Sequence, residues 1–148
     1  MNEPTPKKKR VDGQITGLAG EFFVAGELLK RNMQTSITFG NAKAIDIFAY
    51  NPNTGVTHTV QVKALRYKNY FPLNRSAIEV NHVYVFVILN KPGTEVEYFI
   101  VPGAKLAPAT GDLGKFLDDP KFPGIAWKSL EQYRNNWGVF ESESLSGR

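Results

Sequence analysis

The sequence predicts an α/β protein with a mixed central β-sheet flanked by helices, in the order α-β-β-β-β-β-α. Three observations predict it. Residues Gln14 to Arg31 carry apolar side chains at helical spacing. Three β-branched, alternating runs then follow in succession, "MQTSITF", "KAIDIFAYN" and "VTHTVQVKAL". Finally the continuously apolar "HVYVFVILN" is followed by the alternating "EVEYFIVP", which suits a central strand covered on both faces and a partner beside it.

The first helix has a recognisable apolar arc. At about 100° per residue, Leu18, Phe22, Ala25 and Leu29 fall close together, with Ile15 and Leu28 widening the arc. That arc is the expected core face. Glu27 falls on the far side, whereas Glu21 falls between Ala25 and Leu28 and faces the rest of the protein. The second and third strand runs are joined by "NPNTG", whose Asn, Pro and Gly favour a tight reversal. An antiparallel meander therefore follows the helix. "EVEYFIVP" pairs with "HVYVFVILN" through "KPGT". Beyond Pro102, "GAKLAPA" and "LGKFLDD" read as short helical pieces. "AWKSLEQYRNNWGVF" reads as a terminal helix, with Trp127, Leu130, Tyr133, Arg134 and Trp137 at helical spacing and the aromatics as core anchors.

A chain of 148 residues suits one domain. Residues 1–13 read as a disordered basic arm, 14–140 as the domain and 141–148 as a frayed end. No apolar run is long enough to span a bilayer, and the basic N-terminus lacks the apolar centre of a signal peptide. The expectation is a soluble, cytoplasmic, nucleoid-associated protein. With no cysteine and two histidines, disulfides and thiolate chemistry are excluded, and hard cations with oxygen ligands come first.

The net charge of +4 is concentrated. Lys7, Lys8, Lys9 and Arg10 account for four positive charges, and "PKKKRV" also reads as a nuclear-import signal or as an arm touching phosphates nonspecifically. A second basic group, Lys63, Arg66, Lys68 and Arg75, lies in a stretch from Thr59 to Ile78 without acidic residues. With Tyr67, Tyr70 and Phe71 interleaved, it suits a polyanion such as a nucleic-acid backbone. Asn41 and Lys43 are further phosphate candidates, although "GNAK" reads equally as an ordinary turn.

Four polar residues in apolar settings converge. Asp46 stands within "AIDIFAY", where a carboxylate is costly to bury without a cation, a metal or donors. Gln61 and Lys63 share one face of the next strand, because strand side chains alternate. If the two strands are neighbours, Asp46 lies opposite Gln61, with Lys63 one pleat along. Carboxylate and amide oxygens at one point make a hard site for Mg²⁺ or Mn²⁺. A lysine beside them can orient an attacking water or offset charge on a phosphate.

The helix "GLAGEFFVAGELLKRN", the strand "IDIFAY" and the strand "VQVKA", in that order, resemble the PD-(D/E)XK nuclease superfamily. The resemblance implies a restriction-endonuclease-like core and a metal-dependent endonuclease acting on DNA. Glu21 then corresponds to the helix glutamate, Asp46 to the metal-binding aspartate, and Gln61 and Lys63 to the ends of the last motif. Val62 supplies a backbone carbonyl. Gln61 stands where most of the superfamily has Asp or Glu, as in a group of homing endonucleases, and Ile45 replaces the proline. The implied cofactor is Mg²⁺, with Mn²⁺ as substitute, and the implied assembly is a homodimer or higher symmetric oligomer. A catalytically decayed DNA-binding relative and an RNA-directed nuclease of the same core are the alternatives.

Overall fold

The computed structural model describes residues 13–39 and 45–143. Helix α1 (Gly13–Lys30) leads into β1 (Gln34–Ile37), β2 (Ile47–Asn51) and β3 (Val56–Leu65). These three form the expected antiparallel meander, with Ile37 opposite Ile47 and Ile47 opposite Val60. The "NPNTG" reversal closes with a Gly55 N–H donating to the Asn51 carbonyl at 2.8 Å, and Gly55 has a φ of 74°. Glycine suits that left-handed position because it has no Cβ.

After β3 the chain forms a short strand, β4 (Tyr70–Pro72), and a 3₁₀ turn over Arg75–Ala77 before β5 (Val83–Ile88). Strand β5 runs parallel to β3, and β6 (Glu97–Pro102) returns antiparallel beside it. The sheet order is β1-β2-β3-β5-β6, so the apolar β5 lies inside the sheet as expected. Helix α2 (Gly103–Leu106), a 3₁₀ segment (Gly114–Asp118) and strand β7 (Gly124–Ala126) follow, with β7 pairing β4 in a second, two-stranded sheet. Neither β4 nor β7 is legible as a strand in the sequence. Each is a short piece that depends on the other, distant in the chain, as Phe71 pairs with Ile125.

The sheet separates two apolar cores. On one face, Val24, Ala25 and Leu28 of α1 pack with Val60, Val62, Val85, Val87 and Ile100. On the other, Tyr84, Phe86, Ile88 and Phe99 meet Phe71, Leu106, Leu113, Ile125 and Leu130.

Two sequence expectations are corrected. The buried face of α1 consists of Thr16, Gly20, Val24, Ala25 and Leu28, whereas Ile15, Leu18, Phe22 and Leu29 are 57, 42, 55 and 54% exposed. The reason is close approach. A Cβ on Gly20 would lie 2.7 Å from Ala64 Cβ and 3.3 Å from Val62 Cγ1, so the helix seats its small residues on the sheet. Apolar spacing cannot register that preference for small size. The terminal segment is likewise not an α-helix but two 3₁₀ turns, Trp127–Tyr133 and Trp137–Glu141. Between them Arg134 bridges to Phe99 of β6, and the Asn135 N–H donates to the Tyr98 carbonyl at 2.9 Å. Those sheet-directed bonds, with Asn135 at a φ of 53°, interrupt helical continuation. The chain beyond Glu143 lies outside the described residues.

His58 on β3 is 1% exposed, and neither of its ring nitrogens has a hydrogen-bond partner among the described residues. Its ring meets Phe140 edge-on at 5.3 Å. Burial lowers its pKa below the ordinary imidazole value, opposed in part by the nearby Phe140 backbone and the Glu141 carboxylate. The unfolded chain therefore takes up a proton first as pH falls, and the stability held above that ordinary value is lost on acidification. Between pH 7 and pH 5 the wild type is expected to lose melting temperature relative to His58→Leu, because His58 is the titrating group that the two do not share. Parallel slopes would place the acid sensitivity elsewhere.

Candidate active site

Asp46 lies immediately before β2 rather than inside it, yet its backbone continues the sheet. Its N–H donates to the Val60 carbonyl at 2.9 Å, and its carbonyl accepts from the Thr38 N–H at 2.9 Å. Thr38 Oγ1 also donates to the Ile45 carbonyl at 2.6 Å, which pins the approach to Asp46. The Asp46 carboxylate then reaches across to β3, where Oδ2 accepts the Val62 N–H at 2.8 Å. A position at the strand's start frees the carboxylate from the packed interior, which answers the sequence-level anomaly.

Glu21 reaches the same point from α1. Its pKa is raised to about 7, first by burial and then by the neighbouring Asp46 carboxylate. The two carboxylates, with Gln14, Gly17, Leu18, Thr38, Phe39, Ile45, Val62 and Lys63, line a cleft of about 480 Å³. Lys63 also lines a neighbouring cleft of about 430 Å³ bounded by Tyr70, Asn74, Lys121 and Phe122. The lysine thus stands where two surface clefts meet.

Gln61 is placed differently. Opposite Tyr84 in the β3–β5 register, it is 4% exposed and does not line the carboxylate cleft. Its Nε2 lies 3.1 Å from His82 Nδ1 and donates to Tyr84 Oη at 3.3 Å.

The basic flank does not form one patch. Arg66 turns toward α1, donating from Nε to Thr16 Oγ1 at 3.1 Å. Lys68 lies over the Trp127 ring at 4.7 Å. Arg75 pairs with Asp118 at 2.7 Å and donates to the Ala107 and Gly114 carbonyls, so its guanidinium ties the crossover to the segment after α2. All three guanidinium nitrogens of Arg75 are thus engaged within the fold. Asn41, Lys43 and Lys7 to Arg10 lie outside the described residues. Sequence reasoning missed Thr38, which fixes the approach to Asp46, and Lys121, which faces the second cleft. Neither carries a local signal, since both reach their places through chain reversals.

The donor chemistry fits a hard divalent cation. Two carboxylates line one cleft, the Asp46 charge helps raise the Glu21 pKa, and a divalent ion can neutralise such a pair. Among the described residues no three acidic, imidazole or thiol side chains gather at one point. A cation held by Glu21 and Asp46 would therefore complete its shell from neutral oxygens, such as a backbone carbonyl, an amide or water.

No family model matches the sequence, and neither does any curated protein. Among solved structures, a bacterial homing endonuclease superposes with a TM-score of 0.58 at 14% identity, covering 88% of this chain and 92% of its own. The chain has a restriction-endonuclease-like fold, a mixed five-stranded sheet flanked by helices. A Holliday junction resolvase from the archaeal hyperthermophile Archaeoglobus fulgidus gives a TM-score of 0.49 at 14% identity, covering 78% of this chain and 88% of its own.

Proposed function

We propose that the protein is a metal-dependent endonuclease that hydrolyses DNA phosphodiester bonds. The observation that carries this reading is the convergence of Glu21 from α1 and Asp46 from the start of β2 on one cleft, with Lys63 of β3 on its wall. Asp46 and Glu21 would hold the cation, with the Val62 carbonyl and the amide of Gln61, which the β2–β3 register continued by one residue sets opposite Asp46, as neutral donors. A bound Mg²⁺ supplies a water of lowered pKa and offsets charge on the phosphate oxygens. Lys63 orients the attacking water and stabilises the negative charge that builds on the phosphate. Lys121, on the second cleft, gives a cationic contact for the strand beyond the scissile bond.

The test is cleavage of plasmid and branched DNA, with RNA in parallel, in Mg²⁺ and in Mn²⁺. Cutting of DNA that stops on EDTA addition is expected. A wild type inert on every substrate with both metals defeats the enzymatic reading and leaves the decayed, DNA-binding one. Preference for RNA favours the RNA-directed alternative.

A chain with one such site cuts both strands of a duplex most simply as a symmetric pair. The exposed stripe of α1 supports self-association with a second copy. Ile15, Leu18, Phe22 and Leu29 present an apolar face outward. It amounts to roughly 400 Å² per chain, so two copies would bury about 800 Å², the size of a weak interface. Leu18→Glu with Phe22→Glu is expected to convert a dimer into a monomer in sedimentation velocity. A wild type that sediments as a monomer at micromolar concentration removes this assembly.

A further inference from the structure

We infer that Tyr84 and His82 are positioning residues that hold the Gln61 amide by its nitrogen and leave its oxygen as the group presented to a cation. This inference rests on the metal-dependent reading above for its purpose, but its geometry stands on its own.

The hydrogen-bond directions around Tyr84 decide the orientation. Tyr84 is fully buried in the second core. Its hydroxyl donates to the Ala77 carbonyl at 3.2 Å and accepts the Glu79 N–H at 2.8 Å. With its one proton committed, Oη can only accept from Gln61, so the amide turns its NH₂ toward it, at 3.3 Å. His82 Nδ1, 3.1 Å from the same nitrogen, takes the second proton if the imidazole carries its own on Nε2. Both donors of the amide are then used within the protein. Oε1 is the polar atom of Gln61 left over for a ligand.

The frame around this clamp is itself held. The His82 N–H donates to the Glu79 carbonyl at 3.0 Å, and the His82 carbonyl accepts the Gly103 N–H at 2.7 Å. A Cβ on Gly103 would lie 2.3 Å from the Glu79 carbonyl oxygen and 2.8 Å from that of His82, so the turn is seated directly on the start of α2. The imidazole therefore hangs from a backbone whose position does not depend on the side chain. Glutamine here is the residue that matches its surroundings. A carboxylate at position 61 would offer only acceptors to an Nδ1 and an Oη that both accept in this arrangement.

Mn²⁺ binding by the full chain, read by titration calorimetry, and the Gln61 side-chain NH₂ resonances, read by ¹H–¹⁵N NMR without metal, test this together. The wild type is expected to show slowly exchanging Gln61 NH₂ protons. Tyr84→Phe and His82→Ala are expected to speed that exchange and weaken Mn²⁺ binding about 10-fold, in the range seen when groups behind metal ligands are removed. His82→Asn is expected to restore both, because the Asn Oδ1 stands at the same bond distance from the backbone as Nδ1 and accepts. Gln61 protons that exchange freely in the wild type, or variants with unchanged exchange and affinity, overturn the clamp. So does His82→Asn behaving as His82→Ala does, provided circular dichroism and Tm show both folded. If the protons are protected but the wild type binds no Mn²⁺, the metal-dependent reading fails, and the amide's presentation to a cation fails with it.

Discussion

Asp46→Asn is expected to abolish Mg²⁺-supported cleavage, and Lys63→Ala to lower kcat by about 10²–10³-fold, the loss typical of removing one group that stabilises transition-state charge. The two substitutions act on different groups. In Asp46→Asn the amide keeps an oxygen for the Val62 N–H that Asp46 Oδ2 accepts at 2.8 Å, so the fold should survive while the anionic donor is lost. Lys63 is only part-buried on β3 and lines the cleft mouth. Its truncation removes a cation from solvent-reached space and costs little stability. Mn²⁺ affinity separates the roles, falling strongly in Asp46→Asn and little in Lys63→Ala. Initial rates on a DNA substrate, with titration calorimetry alongside, check both. Wild-type rates in either variant would falsify the assignment of that residue.

The second large effect is expected at Gly20, where the fold and the candidate site are mechanically joined. Gly20→Ala places a methyl group 2.7 Å from Ala64 Cβ, well inside contact distance. Overpacking of this kind costs about 1–3 kcal/mol, a fall in Tm of roughly 3–10 °C for a chain of this size. Ala64 belongs to β3, so neither partner can yield without shifting helix or strand. Because Glu21 is the next residue, lifting α1 also moves a carboxylate away from Asp46, and Mn²⁺ affinity should fall with stability. Ala64→Gly added to Gly20→Ala removes the clashing methyl and should recover most of both losses. If the double variant melts no higher than Gly20→Ala, the contact with Ala64 is not the cause.

The exposed stripe of α1 and its small-residue buried face have one origin. The helix carries large apolar residues on one side and Thr16, Gly20, Val24 and Leu28 on the other. Hydrophobic spacing selects the side with the larger residues, and close packing against β3 selects the side with the smaller. The second effect wins because the sheet already supplies bulk through Val60 and Val62, so the helix contributes contact rather than volume.

The amino-acid sequence by itself determined the meander and the inner position of β5, since alternation, continuous apolarity and the "NPNTG" reversal are local properties of the chain. It also singled out Asp46, Gln61 and Lys63, because charged or amide side chains amid β-branched residues stand out wherever the chain goes, and Glu21, because helical spacing sets it between Ala25 and Leu28. Only the tertiary structure decided which side of α1 is buried, through contacts between Gly20, Val62 and Ala64. It also decided that Arg75 ties two loops together and that the Gln61 amide faces His82 and Tyr84. Each of these depends on groups far apart in sequence, and their distances and hydrogen-bond directions exist only once the sheet has brought them together.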